Sequence, residues 1–402
     1  MKVSSAAQVT RLLAIAAMAI AGQTGIVTGA PGNQPRWSSS RQQSAKSSTS
    51  APQYEIFDIG LLQAGDSFSH GFGVSPGGMA VGRSVRADGS QAFTWTLASG
   101  IVGLPNLAGR AYAVANSAND NGIVVGTASK ALFNADALPV MWQNGSVSQL
   151  PLPPGQTIGD ANSVNASGAA VGSANVQSKQ RGVIYSGGSG SIITQTTATG
   201  CYFITALGIN DFGRIVGRGA DPNNAARNVG MVYDTGQPMA FEVGALPGMN
   251  GAIAYGVSNS GFVVGASTMD AGGGLPYIWS DQGGIVAIPL ASDTSEGAAQ
   301  AVNSKGQVVG TDAGTFAIPF LYDGTTTWRL ADLIPPNSGW DLSTNTSSSA
   351  LGISEDGVIV GTGLHNGDTR AFAMVPMTTP TPTPRPTPTP RPHPSPRPRP
   401  TP

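Results

Sequence analysis

Cysteine, histidine and charged side chains are scarce in this chain of 402 residues. Cys201 is the one cysteine, so an intrachain disulfide is excluded, and only three histidines exist as partners for a thiol nucleophile. We interpret Cys201 as a small, semi-buried apolar side chain. No cysteine pair or histidine pair has the spacing of metal ligands. The composition therefore predicts no metal site and no cofactor.

The chain also lacks an apolar run of eighteen or more residues and a long amphipathic helical stripe. We thus predict no transmembrane helix in the mature chain. The 55 glycines, with few charged residues (11%), are typical of short strands and turns. All 22 acidic residues lie between Glu55 and Asp368, where 12 Lys and Arg give a net charge of −10. This acidic body argues against a nucleic-acid partner.

Both ends of the chain differ in composition from its middle. Residues 1–30 combine a basic start with a short apolar run, which predicts a signal peptide cleaved after Ala21 or Ala30. Residues 31–52 are a predicted flexible leader. Residues 377–402, rich in Thr, Pro and Arg, predict a disordered, extended tail that is a spacer or contacts an anionic cell-envelope polymer. We therefore expect an extracellular or cell-surface protein.

The body, residues 53–376, repeats one motif seven times. Each copy ends on a glycine, here called the anchor glycine, and successive anchors lie 44 to 51 residues apart. A second glycine stands four residues before each anchor, and a glycine or alanine stands eleven before it. The anchor glycines are Gly82, Gly126, Gly172, Gly217, Gly265, Gly310 and Gly361. This register predicts one structural unit per copy.

Each motif predicts a β-hairpin, as the sixth copy illustrates. Val302 ends a first strand, and the side chain of Asn303 bonds the backbone two residues on and initiates a turn. Gly306 supplies the positive φ of a type I turn with a bulge, after which a β-branched pair begins the second strand. The small Ala299 in the first strand predicts that another backbone packs close by.

Two further apolar runs follow the hairpin in repeats one to six, so a repeat reads as four antiparallel strands, or one propeller blade. Repeat seven lacks its fourth strand, but residues 54–59 align with residues 328–333, the fourth strand of repeat six. We therefore predict an all-β fold, a seven-bladed β-propeller with four-stranded blades whose last blade is closed by the N-terminal strand. A linear β-solenoid is the alternative.

The motif, together with Ala-Phe at Ala92–Phe93 and Ala371–Phe372 and Asp-Ile-Gly-Leu-Leu at residues 58–62, carries a resemblance. Over nearly all of residues 54–376 the chain is similar to the HAF-repeat family of predicted extracellular bacterial proteins. The resemblance implies export and a repeat fold. It brings no established activity and no catalytic residues.

In a propeller, the loops from strand two to three and from strand four to the next blade share one face, where ligands usually bind. The candidate ligand-binding residues on this face are Arg83, Arg218, Asp221, Arg227, Trp340, Asp341, His365 and Arg370. Two interpretations of Trp340, in the insertion 334–349, stay open: an exposed ring that could stack on a sugar ring or, as the alternative, a ring that fills an apolar gap under its loop. The charged residues on this face are also explained without a ligand, because charged side chains prefer solvent-exposed loops.

No catalytic constellation is visible, which favours a non-enzymatic binding module for an extracellular glycan or protein. One alternative is a polysaccharide-active hydrolase or lyase that uses loop carboxylates such as Asp160, Asp221 or Asp270. A structural envelope protein is the other. The sequence leaves open whether the protein is an enzyme.

Overall fold

The computed structural model describes residues 51–131, 136–176, 179–269, 273–291 and 294–377. The predicted signal peptide, most of the leader and the tail beyond Met377 lie outside these residues. The described residues form 29 β-strands and one 3₁₀ turn, Leu330–Asp332. Among them, no helix has the length and apolar character needed to cross a membrane.

The strands follow the predicted repeats in chain order. The first strand of the chain and those of repeats one to three are β1 (Tyr54–Asp58), β2 (Phe68–Val74), β3 (Ala80–Arg86), β4 (Gly89–Thr96), β5 (Gly100–Gly103), β6 (Tyr112–Ala118), β7 (Val124–Ser129), β8 (Leu138–Gln143), β9 (Ser146–Gln149), β10 (Gly159–Val164), β11 (Ala170–Val176), β12 (Lys179–Ser186) and β13 (Ser189–Ile192). Those of repeats four to seven are β14 (Tyr202–Ile209), β15 (Arg214–Asp221), β16 (Asn224–Asp234), β17 (Phe241–Glu242), β18 (Gly251–Val257), β19 (Val263–Thr268), β20 (Gly274–Ser280), β21 (Gly284–Ala287), β22 (Glu296–Val302), β23 (Val308–Ala313), β24 (Ala317–Tyr322), β25 (Thr327–Arg329), β26 (Trp340–Asp341), β27 (Ser349–Ile353), β28 (Ile359–His365) and β29 (Asp368–Pro376).

Neighbouring strands within a repeat pair antiparallel in chain order, so repeats three to six each form a four-stranded sheet. Repeats one and two share one sheet through a single parallel bridge between Ser90 and Tyr112. In repeat seven, β1 pairs antiparallel with β29, with Tyr54 opposite Pro376. The first strand of the chain thus takes the place that a fourth strand takes in the other repeats.

The predicted hairpin turns are confirmed. All seven first strands end at the predicted aliphatic residue, and all seven glycines four before the anchor have positive φ. In repeat six, the N–H of Gly306 (φ 77°) donates to the carbonyl of Asn303 at 3.0 Å. The Asn303 side-chain oxygen accepts the N–H of Lys305 and of Gln307, each at 3.1 Å. The turn is therefore a type I turn closed by a left-handed glycine.

The same asparagines also join neighbouring repeats, which the sequence did not predict. The side-chain amide of Asn119 donates to the carbonyl of Asn165 at 2.8 Å, and Asn165 donates likewise to Asn210 at 3.1 Å. Asn210 and Asn303 donate to the equivalent serines of the next repeats. Repeats one, five and seven carry serine at this place. Serine has a single side-chain oxygen, so when this oxygen accepts a turn N–H there is no separate amide group to donate to the next repeat.

The anchor glycines are required by a close approach. Each first strand contains a β-bulge opposite its anchor glycine, as between Ala115 and Ser117. A Cβ built on any of the seven anchors would overlap the carbonyl oxygen of the residue twelve before it, for example that of Val114 below Gly126. A Cβ on Gly71 would lie 2.8 Å from the Gly361 carbonyl oxygen, which confirms the predicted packing of another backbone against the first strand.

The apolar core lies between neighbouring sheets, where Val264 of repeat five packs with Phe320 of repeat six. Cys201 is fully buried rather than semi-buried, in a cluster with Phe203 and Met231.

The predicted fourth strand of repeat six is shorter than expected, because β25 ends at Arg329 and a 3₁₀ turn follows. The insertion of repeat seven adds β26, which pairs with β28.

Candidate functional site

Residues from all seven repeats line one cavity of about 800 Å³, here called the central cavity. It lies between the first strands, because every repeat contributes to its wall the extra residue of its β-bulge, ten before the anchor. These bulge residues are Phe72, Asn116, Asn162, Leu207, Tyr255, Gln300 and Leu351. The bulges that shape the strands thus also turn one side chain per repeat toward a shared space.

The polarity of the wall changes along the first strands. At the ends next to the hairpin turns, the wall is aliphatic, formed by Val74, Ile209, Val257, Val302 and Ile353. Farther along, the wall carries the polar side chains of His70, Arg83, Asp160, Ser173, Arg218 and Thr362. It continues to Ala137, Asn175, Ser347 and Thr369 in or beside the predicted ligand-face loops. The cavity therefore combines an apolar end with a polar end.

Arg83 follows the anchor glycine on β3, opposite His70 on β2. The residue is only 6% exposed, and its Nε has no hydrogen-bond partner within the described chain. Its guanidinium carbon lies 5.6 Å from the ring centroid of Phe72. Burial lowers the pKa of Arg83 to about 10, so the side chain stays cationic at neutral pH.

His70 is the neutral neighbour of this cation. Burial, with the nearby Arg83 charge, lowers the pKa of His70 to about 3. Its Nδ1 lies 3.4 Å from the hydroxyl of Thr362, and its ring meets Phe68 edge-on at 5.2 Å. Arg83 is therefore the only charged member of this pair under physiological conditions.

Asp160 is the acidic residue on the wall, and its oxygens are already in use. One oxygen accepts the Ser173 N–H at 2.7 Å and the Asn162 amide at 3.1 Å. The other accepts the Ser173 hydroxyl at 2.7 Å. Burial raises the pKa of Asp160, against the effect of these hydrogen bonds. Asp160 therefore holds its own strand pair together.

Arg218 and Tyr255 form a second polar region, in repeats four and five. Nε of Arg218 donates to the Asn228 side-chain oxygen at 2.8 Å, and burial lowers the pKa of Arg218. The hydroxyl of Tyr255 is buried with no partner in the described part of the chain, and burial raises its pKa. Both side chains can still offer hydrogen bonds to a molecule in the cavity.

Trp340 is half-buried, so its ring is not fully exposed as the sugar-stacking interpretation requires. Its ring stacks on His365 at 4.7 Å with an interplanar angle of 10°, and it meets Phe372 edge-on at 5.8 Å. His365 in turn bonds Asp58 through Nδ1 at 2.9 Å. The tryptophan packs under its loop, as the alternative stated, because the short strand β26 holds it against β28.

The other predicted residues bond within their own loops. The side chain of Asp341 accepts the N–H groups of Ser343 and Thr344. Burial acts to raise the pKa of Asp341, but these hydrogen bonds lower it overall. Arg227 pairs with Asp221 at 2.9 Å and with Glu242.

Arg370 pairs with Asp368 at 3.0 Å. Of the eight candidates, Arg83 and Arg218 alone line the central cavity. Asp270, one of the carboxylates considered for catalysis, lies outside the described residues.

The bulge residues were missed by the sequence analysis, although a signal for them exists. The residue before each bulge is always glycine or alanine, whereas the bulge residue is aromatic, amide or aliphatic in different copies. Such variation inside an otherwise constant motif marks a position where the repeat tolerates different side chains, although the amides of Asn116 and Asn162 each donate to a carbonyl of the next repeat. Among the described residues, no group of three His, Cys, Asp or Glu side chains is placed to hold a metal ion.

Solved structures resemble this chain at low sequence identity. An oligogalacturonate lyase from Vibrio parahaemolyticus is 9% identical with a TM-score of 0.50, over 80% of this chain and 97% of its own. A virginiamycin B lyase from Staphylococcus aureus is 11% identical with a TM-score of 0.47, over 80% and 99%. YCF48 bound to D1 peptide is 13% identical with a TM-score of 0.48, over 81% and 98%.

These structural neighbours are β-propeller proteins of mixed function. At such identity the likeness establishes an all-β, propeller-like fold and nothing about activity. Neither a protein-family model nor a curated protein sequence matches the chain.

Proposed function

We propose that this chain is an exported, seven-bladed β-propeller that acts as a non-enzymatic binding module, with the central cavity as its ligand site. In this proposal β1 completes the last blade and closes the ring, and the protein works outside the cell or at its surface. The pairing of β1 with β29 supports the closure. The resemblance to the HAF-repeat family supports export.

The variation of the bulge residue carries the proposal. The anchor position is glycine in all seven repeats, and the position eleven before it is glycine or alanine, because backbone packing demands it. The bulge position accepts unlike side chains, from Phe72 to Asn116 to Leu207, although Asn116 and Asn162 also donate to a carbonyl of the next repeat. All seven bulge residues nevertheless line one cavity. A set of unlike side chains around a shared space is suited to one particular ligand.

The volume of the cavity fits a small molecule or a short extension of a larger one. Its size, about 800 Å³, lies in the range of known small-molecule sites. The side-chain oxygens of Asn116, Asn162 and Gln300 can accept hydrogen bonds from hydroxyl groups, while the aliphatic end can cover an apolar face. A glycan unit or a polar peptide segment has both features.

The enzymatic alternative has less support among the described residues. Asp160 keeps its oxygens in hydrogen bonds to Ser173 and Asn162, and Asp221 is paired with Arg227. A general acid and base or a nucleophile must be free to reach the scissile bond. Neither carboxylate meets that requirement as it stands.

The test is a binding and turnover screen of the full chain against glycans and cell-wall fractions, with a variant that fills the cavity. Gln300→Trp places a large ring on the cavity wall, and we expect it to abolish binding that the wild type displays. The matched control is Leu97→Trp, because Leu97 is 61% exposed and lies outside the cavity.

Binding that survives Gln300→Trp would place the ligand elsewhere and contradict the proposal. Release of smaller sugars by the wild type would make the protein an enzyme. Absence of binding together with self-assembly would favour the structural alternative.

A further inference from the structure

Arg83 is a buried cation that nothing in the described chain neutralises. Its side chain lies on the cavity wall, and its contact there is the face of Phe72. Its Nε is buried and lacks a hydrogen-bond acceptor. A buried, unpaired charge destabilises a fold, so such a group persists where something outside the fold uses it.

The fold itself does not require arginine at this place. Arg83 follows the anchor glycine of repeat one, and the equivalent residues of the other repeats are Thr127, Ser173, Arg218, Ala266, Thr311 and Thr362. Five of these seven positions are therefore neutral and small, although the strand pairing around them is the same. The blade can be built without a cation here, so Arg83 has a role that is not structural.

The other ionisable groups on the wall leave the cavity positive. His70 is neutral, and Asp160, the carboxylate among the lining residues, carries at most one negative charge against the guanidinium groups of Arg83 and Arg218. Arg218 adds a second guanidinium three repeats away from Arg83. The body as a whole is acidic, so this positive cavity differs from the charge around it.

We propose that the central cavity binds a small organic anion, whose oxyanion group, a carboxylate or a phosphate, pairs with the guanidinium of Arg83. This inference rests on the proposed binding function and names its ligand class. Guanidinium and oxyanion form short, charge-assisted hydrogen bonds that compensate the burial of both groups. Arg218 and the unpartnered hydroxyl of Tyr255 donate to polar groups on the rest of the ligand, and the aliphatic end accommodates its apolar part.

The experiment measures binding of acetate, inorganic phosphate and neutral acetamide to the full chain by calorimetry at constant ionic strength. We expect acetate or phosphate to bind and acetamide not to bind, and the preferred anion distinguishes a carboxylate ligand from a phosphate ligand. In Arg83→Gln the affinity for that anion should fall about tenfold or more, since hydrogen bonds to a charged group are lost. The matched control is Arg181→Gln. Arg181 lies over the Tyr202 ring at 3.8 Å and is not among the cavity residues. Its substitution should therefore change the affinity for the anion by less than twofold.

A second readout separates a ligand-binding role from a structural one. Without ligand, Arg83→Gln should melt at the same temperature as the wild type or higher, because an unpaired buried charge is removed. A lower melting temperature, or anion binding equal to that of the wild type, would overturn the inference. So would a wild type that binds neutral glycans but neither anion, an outcome that leaves the proposed binding function intact. A wild type that binds neither anions nor neutral glycans would refute both.

Discussion

The asparagine that starts the hairpin turn in four of the seven repeats gives a graded test of how neighbouring repeats are held together. Asn165 is buried and makes bonds in two directions. Its side-chain oxygen accepts the Ala169 N–H at 3.0 Å and the Ser167 hydroxyl at 2.8 Å, inside its own turn. Its amide nitrogen donates to the Asn210 carbonyl of the next repeat at 3.1 Å. Substitutions can remove these two sets separately.

Three variants of Asn165 should destabilise the protein to different degrees. Asn165→Ser retains an acceptor for the turn, as Ser75 does for the Met79 N–H, and loses the link between repeats, which costs about 1 kcal/mol. Asn165→Ala loses both sets and leaves the part-buried N–H of Ala169 unsatisfied, which costs about 2 to 4 kcal/mol. Asn165→Asp keeps the acceptor but sets a carboxylate against a carbonyl oxygen, so it should be the least stable at neutral pH and recover on acidification.

The assay is urea unfolding of each variant at pH 7 and pH 4, followed by tryptophan fluorescence. The reciprocal variant Ser258→Asn is the control, because it can create the missing link to the next repeat and should be neutral or more stable. The reasoning is refuted if Asn165→Ser unfolds at the wild-type urea concentration, since the link would then contribute nothing. It is also refuted if the aspartate variant is more stable than the alanine variant at pH 7.

Two further predictions concern stability. Gly126→Ala should cost about 3 kcal/mol or more in urea unfolding, because its Cβ would overlap the Val114 carbonyl oxygen. Gly122→Ala should cost only about 1 to 2 kcal/mol, for the positive φ alone, and equal losses would contradict the bulge argument. Burial raises the pKa of Asp312 from 3.8 to about 7, against a hydrogen bond from the Ala291 N–H. Because this native pKa is raised, the contribution of Asp312 to the stability of the protein is greatest below pH 4. As the pH rises to 7, the protein loses roughly 4 kcal/mol of stability through this group. The melting temperature should therefore fall over this interval less steeply in Asp312→Asn than in the wild type, and parallel profiles would contradict the assignment.

The sequence alone determined the strands and turns of this protein. Their positions depend on local requirements, such as a left-handed glycine at Gly306 and a turn-initiating side chain at Asn303. Because the motif is repeated seven times, these requirements can be recognised in the sequence. The terminal strand at Tyr54 was likewise predictable, because the count of strands left one place to fill. The fourth strand of repeat six was predicted too long, since the apolar pattern around Leu330 suits a 3₁₀ turn packed on the core as well as a strand.

Only the tertiary structure decided which side chains share a space. Trp340 and Arg83 looked alike in the sequence, as prominent side chains expected on the ligand-binding face. The pairing of β26 with β28 buries one face of Trp340 against His365, whereas β3 leaves Arg83 on the cavity wall, its Nε without a hydrogen-bond partner among the described residues. Burial and pairing depend on residues about three hundred positions away, as between His70 and Thr362, and no local pattern encodes that distance.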